Sequence, residues 1–105
     1  MKVIIKRPDE KLGHEENIEN TLEELQRIVG GNIEAVHIGA GAVLICNEEG
    51  KLLDLDPNFW VWNPPFQDVV CGTVVICGES GEDFADVPIS LRNWQKMLEI
   101  WGNRV

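Results

Sequence analysis

At 105 residues the chain is about one domain long, enough for one modest core and too little for a deeply enclosed active site. Eighteen acidic against nine basic residues give a formal charge of −9, which repels phosphate backbones and argues against direct nucleic-acid binding. The 44% apolar share is that of a folded globule, while no apolar run approaches the ~20 residues of a membrane span.

The N-terminus, MKVIIKRPDE, lacks the apolar region of a signal peptide. Its Lys2-Val3-Ile4-Ile5-Lys6 core, stopped by Pro8, predicts a first strand. Residues 9–19 are polar and predict a loop, with some pairing near Ile18. Thr21 and Glu24 fit a capping box, in which the Thr hydroxyl accepts a free amide and the Glu reaches back to another. Leu22, Leu25 and Ile28/Val29 then recur at helical spacing until Gly30-Gly31 ends a helix of about two turns.

A strand is expected over 32–38 and another over Ala42–Cys46, joined by the tight Gly39-Ala40-Gly41 link. The second, continuously apolar, is expected to be central. After the turn at 47–50, Lys51–Leu55 reads as a short strand pairing back, and Asp56-Pro57-Asn58 as a turn. Asp68–Cys77 gives the longest β run, interrupted at Gly72 and closed by 78–81. From Ser90 to Trp101, Leu91, Trp94, Leu98 and Trp101 fall on one face of a helix. The sum is an α+β fold, a two-layer sandwich with about four or five mainly antiparallel strands under two helices on one face.

Four blocks, MKVIIKRP, ENTLEELQRIVGGNIEAV, VLICNEEGKLLDLDPN and VVCGTVVICGESGEDFADV, resemble a domain-of-unknown-function family found in phages, plasmids and integrative elements, chiefly of Firmicutes. The resemblance covers roughly residues 1–87 of a single-domain chain, leaving 88–105 as a variable helical tail. It departs at 56–68, where WVWNPPF replaces a more polar stretch. No activity comes with it. It implies a setting among accessory genes of mobile elements, often beside antirestriction genes.

Catalytic candidates are sparse. His14, His37 and the three cysteines, Cys46, Cys71 and Cys77, form no metal-ligand spacing. Cys71 and Cys77 are spaced to share one face of a strand. All three cysteines sit in apolar runs, as buried thiols of a reduced, cytoplasmic protein do. Cys46 and His37 could approach each other across the 39–41 turn, but no third group orients them. The paired acids (Glu15/Glu16, Glu23/Glu24, Glu48/Glu49, Glu82/Asp83) read as solvated surface. The chain is therefore read as non-enzymatic, with no cofactor and no metal.

What remains is FWVWNPPF at 59–66, holding two of the four tryptophans and two of the three phenylalanines. In a strand, Trp60 and Trp62 point to one side and Phe59 and Val61 to the other. One small sheet cannot readily bury both sides. The stretch is thus either core filling or a rigid aromatic rim that meets another molecule.

Together with the mobile-element setting, this suggests a homo-oligomeric binder that sequesters a small nucleotide-derived signal of host defence. Phe59, Trp60 and Trp62 would provide the stacking surface, Lys6, Arg7 or Lys51 would hold phosphate, and Gly39 and Gly41 would offer backbone amides. The alternative is an acidic inhibitor, in its strong form a nucleic-acid mimic, that binds a host defence protein.

Overall fold

The computed structural model describes all of residues 1–105. Its elements are β1 (Lys2–Lys6), β2 (His14–Asn17), α1 (Leu22–Val29), β3 (Ile33–Gly39), β4 (Ala42–Asn47), β5 (Pro57–Asn63), β6 (Phe66–Cys71), β7 (Val74–Ser80), β8 (Asp83–Ala85) and α2 (Leu91–Ile100). The main sheet runs β2-β1-β7-β4-β3 with every pairing antiparallel, and β8 pairs with the far end of β7. β5 and β6 form a separate two-stranded sheet.

The three inner strands explain the layering. β1, β4 and β7 are apolar at consecutive positions, so both faces of the sheet need a cover. Val3, Ile5, Val43, Ile45, Val75 and Cys77 face one way and pack on Leu25 and Val29 of α1. Ile4, Leu44, Cys46, Val74 and Ile76 face the other way and pack on Phe59, Val61 and Val70 of the hairpin and on Trp94 and Leu98 of α2. The α+β class, the antiparallel sheet and the two helices match the sequence expectation. The helices, however, divide between the faces instead of sharing one. The layers are α1, the sheet, and then α2 side by side with the β5–β6 hairpin. Burying each of these aliphatic side chains contributes about 1.5–3 kcal/mol.

Both helices start where their caps say they should. Thr21 Oγ1 accepts from the Glu24 amide at 3.2 Å, and Ser90 Oγ from the Asn93 amide at 3.1 Å. The reciprocal arm of the capping box is not made, because the Glu24 carboxylate pairs instead with Arg27. Leu22, on the expected apolar stripe of α1, is exposed. Gly30 ends α1 in the left-handed region, its φ being 82°.

Three boundaries differ from the sequence reading. Lys51–Leu55 is not a strand: Leu53 N donates to Glu49 O, Asp54 N to Lys51 O and Leu55 N to Gly50 O, so the segment coils on itself. Pro57 and Asn58 open β5 rather than closing a turn. The run through Cys71 and Cys77 is two strands in two different sheets, so these thiols share no strand face. Gly72 makes the break, with φ +84° and a Leu55 methyl 2.7 Å from where a Cβ would stand. β4 is fully buried but lies one place from the edge strand β3, and β7 holds the centre.

Candidate functional site

The 59–62 stretch alternates as its pattern requires. Phe59 and Val61 point into the molecule and are buried, whereas Trp60 and Trp62 point out and are 55% and 57% exposed. Phe59 meets the edge of Trp94 at 5.4 Å between centroids and stacks on Trp101 at 6.3 Å, so the hairpin and α2 are joined by an aromatic cluster. The register pairs Trp60 with Val69 and Trp62 with Gln67. Directly opposed residues share a face. The outer face of the hairpin thus carries two tryptophans, a valine and a glutamine, with no charge among them.

The hairpin is fastened at the middle and at the far end of β5. Asn103, just past α2, accepts from Trp60 N at 2.9 Å and donates to Trp60 O at 2.9 Å and Leu98 O at 3.0 Å. Its side chain occupies the open edge of β5 as a neighbouring strand would. At the far end, Asn63 Nδ2 donates to His37 O at 3.0 Å and ties β5 to β3. The platform is therefore held by the body of the protein, which lowers the ordering cost of binding to it.

Beside the inner edge of β5 lies a cleft of about 280 Å³, lined by Lys6, Glu10, Lys11, Asn58, Phe59 and Arg104 among others. Lys6 ends β1 on the face that carries Ile4, and only 3% of it is exposed. Its ammonium donates to Asn58 Oδ1 at 2.5 Å and sits 5.4 Å from the centre of the Phe59 ring. Its ion pairs include none: no carboxylate oxygen comes within 4.0 Å of Nζ. Burial pushes the Lys6 amine below the ordinary lysine value, with Glu10 and Asp9 pulling it part of the way back. Asn58 holds the strand junction in place, its amide donating to Lys6 O and Gly72 O, both at 2.9 Å.

Of the residues singled out from sequence, then, Lys6 and Phe59 come together. The others lie elsewhere. Trp60 and Trp62 are on the opposite face of the hairpin from Phe59. Arg7 is exposed and pairs with Glu10 at 3.4 Å. Lys51 pairs with Asp68 at a second cleft of about 240 Å³, whose wall also carries Glu34, Glu48 and Glu49. Gly39 and Gly41 flank Ala40 in the β3–β4 turn, where all three residues have positive φ. The positions the sequence did not single out are Asn58, Asn103, Lys11 and Arg104. None belongs to a local motif: Lys11 comes from the β1–β2 loop, Asn58 from the start of β5, and Asn103 and Arg104 from the C-terminal segment.

The nucleophile reading fails on geometry. His37 stands opposite Val43 and Cys46 opposite Glu34, so the two side chains project from opposite faces of the sheet. His37 Nε2 instead meets Glu79 at 2.9 Å, and Cys46 Sγ faces Glu34 at 3.7 Å. Burial, reinforced by Glu34, pushes the Cys46 thiol up to about 12, which is the wrong direction for a nucleophile. The cysteines are all free, and no group of three or more His, Cys, Asp or Glu side chains is placed to hold a metal. No helix is long and apolar enough to cross a membrane.

No curated protein and no solved structure matches the chain. Over residues 1–99, through β1–β8 and most of α2, it matches the family described as "Domain of unknown function (DUF3846)", a match that runs on past residue 87 where the sequence resemblance ends, and the chain belongs to that family.

Proposed function

We propose that the protein is a non-enzymatic binding module whose recognition surface is the Trp60–Trp62 face of the β5–β6 hairpin. Its ligand would be a small nucleotide-derived signal, sequestered on behalf of a phage or other mobile element. The observation that carries the reading is the pair of tryptophans, each more than half exposed, side by side on an uncharged face that the rest of the fold holds rigid. Base–aromatic stacking contributes about 1–3 kcal/mol per base. Neither tryptophan lines a cleft of the kind that small ligands usually occupy. Two copies with these faces opposed would enclose a base between them, in line with a homo-oligomer. The cytoplasm of a host cell is the compartment this reading calls for.

The test is a fluorescence titration of the full chain with a panel of purine mono-, cyclic and oligonucleotides, alongside the Trp60→Ala/Trp62→Ala variant. Quenching that saturates in the wild type and vanishes in the variant supports the reading. A folded wild type that responds to none of the panel refutes it.

A second reading is favoured by Trp60 and Trp62 lining neither cleft, and by the net charge of −9. In that reading the protein inhibits a host defence enzyme by direct contact. Charge reversal at Glu23, Glu24, Glu48 and Glu49 separates the two: loss of function with intact ligand binding sinks the sequestering account.

A further inference from the structure

The Lys6 cleft stands apart from the rest of the surface. Its wall carries three cations, Lys6, Lys11 and Arg104, against one carboxylate, Glu10. The 240 Å³ cleft has the opposite balance, four carboxylates against Lys51. A net-positive hollow in a chain of charge −9 is not a by-product of composition.

Glu10, and Asp9 beside it, act on Lys6 through space, but neither reaches ion-pair distance of its ammonium. The Glu10 carboxylate already accepts from Arg7 N at 3.0 Å and meets His14 Nδ1 at 2.8 Å. Burial alone would raise its pKa, but the hydrogen bonds and charges of His14 and Arg7 outweigh this and hold it below the usual carboxylate range. Lys6 is left with three N–H donors, one neutral acceptor and an aromatic face. Taking an ammonium out of water without a counter-ion in contact is costly, and an anion bound against it would recover part of that cost.

We infer that the cleft between β1, the start of β5 and the C-terminal segment is a binding site for a phosphate monoester group, with Lys6 at its foot and Lys11 and Arg104 at its mouth. Phosphate fits better than a carboxylate, because its charge of −1.5 to −2 at neutral pH matches a cluster of three cations around one engaged acid. Arg104 can meet it with a fork of two N–H groups, and Lys6 with the two donors it does not spend on Asn58. The volume, about 280 Å³, accommodates the phosphate and a few further atoms and leaves the remainder of a larger ligand outside. The site stands independently of the tryptophan face: Trp60 and Trp62 do not line it, and its occupancy is read without them.

The experiment uses the full chain and inorganic phosphate, followed by isothermal titration and by ³¹P line broadening at constant ionic strength, with chloride as the reference anion. The expected dissociation constant is on the order of 1 mM for so small a probe. Lys6→Met keeps the aliphatic stem and weakens binding about tenfold or more, the usual cost of losing a charge-assisted contact. Since Lys6 is buried, Lys11→Gln/Arg104→Gln, at two exposed positions, provides a second variant that does not disturb the core. Lys51→Met, in the other cleft, leaves the titration unchanged. Loss in the first two variants with retention in the third supports the site. No phosphate response in the wild type, or equal responses in all four proteins, overturns it. Loss of phosphate binding with nucleotide quenching retained, or the reverse, shows which of the two sites has failed.

Discussion

Phe59 and Trp60 are adjacent, both aromatic, and placed by the strand's alternation in opposite environments, which makes their substitution a quantitative test of the fold. Phe59 is 4% exposed and touches Trp94, Trp101 and the Lys6 ammonium. Truncating a buried Phe to Ala costs about 3–5 kcal/mol, part of it from the two aromatic contacts worth roughly 0.5–1.5 kcal/mol each. Against a total stability of about 5–15 kcal/mol, Phe59→Ala threatens the fold, so Phe59→Leu, at about 1.5 kcal/mol, is the measurable companion. Trp60 loses only a cross-strand pair with Val69, worth about 0.2–1 kcal/mol. Urea denaturation should show the loss of about 1.5 kcal/mol with the slope unchanged, and a parallel thermal scan should place Phe59→Leu roughly 6–12 °C below the wild type. Trp60→Ala should stay within about 1 kcal/mol of the wild type. Equal losses for Phe59→Leu and Trp60→Ala, or a larger one for Trp60→Ala, would refute the orientation of the hairpin and with it the exposed platform.

Asn103→Ala removes the side chain that closes the β5 edge. With three hydrogen bonds lost at about 0.5–1.5 kcal/mol each, a destabilisation near 2 kcal/mol is expected, and the Trp60 amide should exchange with solvent faster. Ala40→Asn creates the Asn-Gly sequence favoured in a two-residue turn whose residues both have positive φ. Since Ala40 sits at φ 55°, where a side chain costs about 1–2 kcal/mol, a gain near 1 kcal/mol should appear in the urea midpoint. Burial pushes the Cys77 thiol up to about 12 from an ordinary value of 9.0, with Glu79 adding to it. A raised folded value means stability that is complete below pH 9 and lost as pH climbs toward 12. Between pH 8 and 10.5, the wild type should therefore lose about 2 kcal/mol more than Cys77→Ala, and iodoacetamide at pH 8 should spare Cys46 and Cys77 until urea is added.

What the sequence made legible was local. The strand at Lys2–Lys6, the caps at Thr21 and Ser90, the helical stripe of Trp94 and Leu98, and the placing of Trp60 and Trp62 on one side of a strand all follow from spacing along a few residues, whereas which side faces out did not. What it hid depends on partners far away in the chain. Lys51–Leu55 is apolar at three of its five positions, but Gly50 packs against Cys71 O with no room for a Cβ, and the segment curls into turns on β6. The side of the sheet taken by each helix cannot be read from runs such as VLIC, because these are apolar on both faces. Gly72 looked like an interruption of one strand and is the point where the chain leaves one sheet for another. Lys6 was legible as a cation, but its burial beside Asn58 and Phe59, in a cleft shared with Arg104, depends on residues arriving from 50 to 100 positions away. Arg7, its neighbour in sequence, is exposed because it lies just past the end of β1, beyond the layers that cover both faces of the sheet.

The most direct test of the central claim is native mass spectrometry of the protein and of Trp60→Ala/Trp62→Ala, both purified gently from bacteria with active nucleotide signalling. The account predicts an oligomer carrying a reproducible small-mass adduct in the wild type, released on denaturation and missing from the folded variant. A wild-type mass free of any adduct, or an adduct retained unchanged by the double variant, would contradict it.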